Sequence, residues 1–217
     1  MSRVALRQIR GEKGAAVKHL PSVARGVLRR WLALANAATG LFLCLPFLAP
    51  LLLRQGRPEL ANMIYSAYHV TCHEWPFRAY FLFGPQATYS MAELEARGVN
   101  AVFDFRGSAE LGYKVAFCER NVAIYAAALL AGLLYARLGH RLPALSLSGY
   151  LLLLTPMALD GFSQLGGWRE STWELRTLTG VLFGAGSVWL LYPRLDQLVS
   201  EVLAPRPIRH PIQSAAA

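Results

Sequence analysis

From Trp31 to Leu53 the chain runs for 23 residues without a charged side chain. At about 1.5 Å of rise per residue, such a run covers the roughly 30 Å of hydrocarbon in a bilayer. Arg29 and Arg30 close it on one side and Arg54 on the other. A cleavable signal peptide has an apolar region of only about 7–15 residues. This run is longer and continues into LLLRQGRPE, so it reads as a retained anchor. Pro46 and Pro50 lie inside it. A membrane helix tolerates them better than a soluble one, and they predict a kink near its exit.

Three further stretches have the same character: Asn121–Leu138, Leu142–Leu159, which runs directly into Asp160, and Leu175–Leu195, uncharged between Arg176 and Arg194. The last holds Gly180, Gly184, Ala185, Gly186 and Ser187, small residues of the kind that let membrane helices pack closely. Residues 60–84 are aromatic but carry His69, His73, Glu74 and Arg78, with Pro76 in the middle. A charge at the bilayer centre costs roughly 2.5–3.5 kcal/mol, so an interfacial or re-entrant helix fits this segment better than a full span. The segment MAELEARG reads as a short helix. The expected fold is an all-α, polytopic membrane helix bundle with four transmembrane helices, at about 31–53, 121–138, 142–159 and 175–195. A short interfacial or re-entrant helix lies within an outer loop, 54–120. A basic cytoplasmic segment, 1–30, precedes the 31–195 membrane domain, and a cytoplasmic tail, 196–217, follows it.

Charged residues make up only 16% of the chain, yet its formal net charge is +9. That combination leaves a basic nucleic-acid binder or a membrane protein with basic cytoplasmic flanks. The distribution separates them. With four spans and the N-terminus inside, the cytoplasmic parts carry a net +10 and the outer parts a net −1. Arg29, Arg30, Arg137, Arg141 and Arg194 all fall inside, as the positive-inside rule requires. The expected setting is a cell (inner) membrane, multi-pass, with both termini cytoplasmic. Lipid is the expected partner, and no nucleic acid is expected. A five-span alternative, in which 60–84 crosses, puts Arg137, Arg141 and the basic tail outside.

Four spans gather the unusual polar residues on the outer side. On a helix, His69, Cys72 and His73 share one face. Imidazole and thiolate suit Zn²⁺ or another transition metal, and Cys118, at the mouth of the second span, supplies a fourth candidate ligand. Cys72 and Cys118 also read as a disulfide or thiol redox pair, and all four residues also read as packing groups. Cys44, inside the first span, reads as a buried apolar residue. Asp160 ends an uncharged span and needs a partner, which Arg120, Arg169 or Arg176 would provide. Ser171, Thr172 and Glu174 are placed to cap the last helix. Glu74, Arg78, Gln164 and Glu170 complete the polar cluster. No Walker, dinucleotide, serine-hydrolase or HExxH pattern occurs, and no reaction follows from the motifs.

Three blocks, CHEWPFRAYFLFG, CERNVAIYAAALLAG and PMALDGFSQLGGWRESTWELRTLTGVLFG, together resemble the domain of unknown function 2085 family of predicted prokaryotic integral membrane proteins. The resemblance covers about residues 69–190 and is most specific in the third block, from Asp160, Gly161 and Gln164 to Arg169–Thr172, Arg176 and Gly180. The chain has Ala79 where that family often has Ser, and Asn121 where some members have a second Cys. The resemblance implies the membrane fold and the position of a polar site, not a reaction. The expected function is therefore a His/Cys/Asp/Arg site at the outer membrane boundary, metal-binding or thiol-redox. The other readings are a non-catalytic subunit or scaffold bound to a membrane-protein partner, and a small-solute transporter, which the lack of an inverted repeat disfavours.

Overall fold

The computed structural model describes residues 21–72, 75–99, 105–139 and 143–204. The chain divides into two compact units, one from 32 to 193 and one from the flanking segments. In the flanking unit, α1 (Ser22–Arg29) sets Val23 and Val27 on one face and Arg25 and Arg29 on the other, with no residue buried. The larger unit contains nearly all of the remaining structure. Helix α2 (Trp31–Arg54) is followed by α3 (Pro58–His69), which starts on a proline whose missing N–H costs nothing at that position. A 3₁₀ turn (Pro76–Arg78) leads into β1 (Ala79–Leu82), then α4 (Met91–Glu95), β2 (Gly107–Ser108) and β3 (Gly112–Cys118). Three long helices follow, α5 (Glu119–Leu138), α6 (Leu147–Leu165) and α7 (Trp173–Leu203).

Side-chain pairing fixes the helix directions. Asn36 of α2 lies against Gly132 of α5, and the Phe42 and Tyr125 rings are 5.0 Å or less apart, at 4.8 Å, so α2 and α5 are antiparallel. Gly180 and Gly184 of α7 face the α5 backbone at Arg120 and Ile124, and Tyr192 meets Tyr135 further along, so α7 runs parallel to α5. Helix α6 returns between them: Tyr150 bonds Ser187 at 3.2 Å near its start, and Asp160 reaches Arg120 near its end. The small residues of α7 thus have the packing role their spacing implies. The Gly184 position is so close to α5 that a methyl there would stand 2.2 Å from the Ile124 carbonyl oxygen.

Among the described residues, three helices are long and apolar enough to cross a membrane: α2, α5 and α7. Helix α6 is not among them, so the fourth span expected at 142–159 is not established by length and apolarity. It starts at Leu147, where the Ser146 hydroxyl accepts from the Gly149 N–H at 3.1 Å. Its uncharged stretch, Leu147–Leu159, then covers roughly 20 Å before Asp160 enters the helix. Residues 60–84 do not form a span either, since α3 stops at His69. Helix α2 continues through Pro46 and Pro50, both buried.

The all-α expectation is also corrected. Strands β1, β3 and β2 form a small antiparallel sheet in that order, with Phe81 opposite Lys114 and Ser108 opposite Gly112. Gly112 has φ +84 and packs so closely that a Cβ there would stand 2.5 Å from the Leu82 carbonyl oxygen, so no other residue fits this turn. The sheet and α3 share one core of Ala49, Ala61, Tyr65, Tyr68, Val115 and Phe117. Within it the Tyr68 hydroxyl donates to the Phe42 carbonyl at 2.8 Å, tying α3 to α2. A second cluster of Phe77, Phe81, Tyr89, Leu94 and Leu111 lies under α4. The long helices, by contrast, leave Leu41, Leu130, Leu152 and Leu159 exposed, as expected of surfaces that lipid covers. Cys44 is exposed on α2 and not buried, because in a thin bundle a residue inside a span faces lipid as readily as protein.

Gly184→Ala is expected to lower the unfolding temperature in detergent micelles, by the equivalent of about 1–3 kcal/mol of overpacking against the α5 backbone. Gly161→Ala on α6, where a Cβ meets nothing within 4 Å, should leave it unchanged or slightly raised.

Candidate functional site

At one end of the bundle, the start of α5, the end of α6 and the start of α7 converge under the sheet. Asp160 lies in the last turns of α6 with its side chain 1% exposed. A carboxylate buried this deeply must be paired. The Arg169 Nη2 donates to it at 2.6 Å, and Arg120 forms a second ion pair. The Ser171 hydroxyl donates at 3.0 Å and the Gln164 amide at 3.1 Å, so four groups hold one carboxylate. Arg120 is the second residue of α5, Arg169 and Ser171 lie in the α6–α7 turn, and Gln164 is one helical turn after Asp160. The aspartate therefore pins three elements at one point.

A second buried pair lies beside it. The Arg176 Nη1 donates to Glu119 at 3.0 Å and to the Phe77 carbonyl at 3.1 Å, joining α7 to α5 and to the 3₁₀ turn. Asp160 thus takes Arg120 and Arg169 from the three expected candidates, and Arg176 goes to Glu119 instead. Glu119 was not among the expected site residues. Its signal was an acid next to Arg120 at the mouth of an apolar run, where burial demands a cation. Ser171 turns to Asp160, and Thr172 alone caps α7, accepting from the Leu175 N–H at 3.4 Å.

Arg78 has a different setting. Its guanidinium lies 4.5 Å from the Trp75 ring centre and 5.2 Å from that of Phe77, and no carboxylate pairs with it among the described residues. Burial, and then the neighbouring Arg176 cation, hold its pKa below the ordinary arginine value. Glu170, a carboxylate that acts on it in the opposite sense, is exposed.

Arg78, Arg120 and Arg176 line a cavity of about 390 Å³ with Gln164, Cys72 and Cys118. No acid stands among the described residues of its wall. Among the described residues, the buried Nε atoms of all three arginines lack a hydrogen-bond acceptor, and so does the Arg176 Nη2. On the other side of Arg176 a cavity of about 640 Å³ has Glu93, Glu119, Glu170 and Glu174 in its wall.

The expected cysteine and histidine cluster comes together only in part. Helix α3 ends at His69, and the Cys72 N–H bonds back to the Tyr68 carbonyl at 3.1 Å, closing the chain into a turn. The helical register that would align His69 with Cys72 therefore stops short. His69 is exposed while Cys72 is buried, and His73 and Glu74 lie outside the described residues. Among the described residues, no three His, Cys, Asp or Glu side chains are grouped as metal ligands. Cys72 and Cys118, both free thiols, do come together, in one core cluster and in the wall of the same cavity. The hydrogen bond to Cys72, and then burial, push the Cys118 thiol well above its ordinary pKa.

Three apolar helices capped by a polar cluster where their ends converge define a helical membrane protein. Residues 106–190 match the model of the family described as "Predicted membrane protein (DUF2085)", the family that the sequence motifs resemble. The chain is also 28% identical over 161 residues to an uncharacterized protein of Methanocaldococcus jannaschii, a match covering 70% of this chain and 85% of that relative. No solved structure matches the chain. The family match contains Cys118, Arg120, Asp160, Arg169 and Arg176 and begins after Cys72 and Arg78.

Asp160→Asn keeps the shape but removes the charge that two arginines share. It should destabilise the protein by about 3–5 kcal/mol, read as loss of thermal stability in micelles. Arg169→Ala, at a side chain 43% exposed, should cost no more than about 1 kcal/mol. Alkylation of Cys118 is a separate check. Because its pKa is raised, its thiolate is scarce at neutral pH, so the rate should rise only above the usual thiol range. Cys72→Ala removes the first cause of the shift and should move that rate profile to lower pH.

Proposed function

We propose that the protein is a four-span membrane protein that binds a small carboxylate or oxyanion where its helix ends converge. One observation carries this reading. Arg176 is 4% exposed, yet its Nε and Nη2 have no acceptor among the described residues. Those two N–H groups form one edge of the guanidinium fork, the edge that meets a carboxylate or phosphate side-on. Glu119 occupies the other side through Nη1, so the pair fixes the guanidinium and leaves its bidentate edge without a partner among the described residues. Buried donors without an acceptor cost about 1–3 kcal/mol each, more on a charged group. An anion in the adjoining cavity satisfies them and balances Arg78, which has stacked aromatic rings around it but no paired carboxylate among the described residues.

The return of α6 from the far end of α5 to Arg120 supports counting it as a fourth crossing. A helix of 19 residues covers about 28 Å, and its less apolar last turns lie under the polar cap and not in hydrocarbon. With four crossings the basic flanks fall on the cytoplasmic side of a cell membrane and the cavity opens on the opposite side. A metal reading draws on Cys72 and Cys118 alone among the described residues and needs further donors. The scaffold and transporter readings have no observation that favours them over binding.

Isothermal titration of the detergent-purified protein with sulfate and with acetate tests the proposal. Saturable one-to-one binding, weakened at least about tenfold by Arg78→Gln, is expected. Arg78 has no carboxylate partner to orphan among the described residues, so this variant should fold. No saturable binding, or equal affinity in Arg78→Gln, would contradict it.

A further inference from the structure

The cavity wall carries a second chemistry. Cys72 and Cys118 both line it, as free thiols that pack in the same core cluster. They come from different parts of the chain. Cys72 is held by the turn that ends α3, and Cys118 by its place opposite Ala79 at the end of β3, just before α5. The two sulfurs are thus brought together by the fold, and brought together in the same wall as Arg78, Arg120 and Arg176. Space-filling alone needs no cations around a thiol pair. An arginine-lined cavity holding two thiols side by side is matched to a ligand with a carboxylate at one end and a sulfur a few bonds away.

Building on the anion reading, we propose that this cavity is a thiol–disulfide exchange site for small disulfides that carry carboxylates. One protein thiol gives its proton to solvent, and its thiolate attacks the bound disulfide. One S–S bond breaks and one forms, leaving a mixed disulfide, and the departing small thiolate takes up a proton. The second protein thiol then loses its proton and attacks the protein sulfur of the mixed disulfide. The Cys72–Cys118 bond forms and the second small thiol leaves. Two electrons pass from the protein dithiol to the small disulfide, which becomes two thiols. The arginines hold the carboxylates, so they select the substrate and raise its local concentration without entering the electron transfer.

The test uses full-length protein carrying Cys44→Ser, reduced and held in detergent, because Cys44 is an exposed thiol outside the cavity. Dithiodipropionate (anionic), hydroxyethyl disulfide (neutral) and cystamine (cationic) are supplied in turn. Each rate is divided by that of the same reagent with a short cysteine peptide, which removes intrinsic differences in reactivity. Intact mass and released small thiol report the products. The expected result is exchange with dithiodipropionate at least about tenfold faster than with cystamine after normalisation. It should end in an internal Cys72–Cys118 disulfide with two small thiols released per protein. Arg78→Gln should reduce the charge preference to less than about threefold, and Cys118→Ser should stop the reaction at the mixed disulfide on Cys72. Equal normalised rates for the anionic and cationic reagents would overturn the inference, as would failure to form the internal disulfide. If sulfate binds in an Arg78-dependent way while either of these occurs, the exchange site is refuted and the anion site stands. If sulfate does not bind, the underlying reading itself has failed.

Discussion

The carboxylate of Asp160 is the point on which the polar end of the bundle depends. It is buried at the end of α6 and accepts from Arg120 of α5 and from Arg169 and Ser171 of the turn into α7. A carboxylate without these donors is too costly to bury, and the arginines without it repel one another. Folding therefore brings the three segments together or leaves several charges unpaired. The neighbouring Glu119–Arg176 pair extends the same logic to the 3₁₀ turn, through the Phe77 carbonyl. Arg78 stays outside this pairing, and that imbalance gives the cavity its positive wall.

Close approach of α7 to α5 is the second condition. Gly180 and Gly184 let α7 lie against the backbone at Arg120 and Ile124, which brings Arg176 level with Glu119. Dispersion between touching backbones replaces a hydrophobic drive that lipid does not provide. The sheet and α3 close the top of the bundle through Tyr65, Tyr68 and Phe117, and so bring Cys72 and Arg78 to the cavity. Site and scaffold are therefore one construction: the glycines that set helix spacing also set the reach of the arginines.

Much of this was legible in the sequence, for reasons that differ by region. The run Trp31–Leu53 could be read because bilayer thickness demands a long uncharged stretch, and the need of Asp160 for an arginine because a boundary carboxylate must be neutralised. The helix expected at 142–159 begins instead at Leu147, where Ser146 caps it, and runs past Asp160 to Leu165, a boundary that the hydropathy of the stretch does not mark. The sheet was hidden because AYFL and GYKVAFC are short, and their aromatic and β-branched residues suit an interfacial helix as well as a strand. The alignment of His69 with Cys72 assumed a helix that stops at His69. The choice of Glu119 over Asp160 as the partner of Arg176 turns on three-dimensional approach, which spacing along the chain does not encode.

The claim at the centre is that the open edge of Arg176, together with Arg78, receives an anion. Anomalous diffraction from crystals of the protein grown with selenate tests it most directly. A selenium peak within hydrogen-bond reach of the Arg176 Nε and Nη2, beside Arg78, is the result expected. A cavity empty of selenium, in crystals where other sites hold the ion, would contradict it.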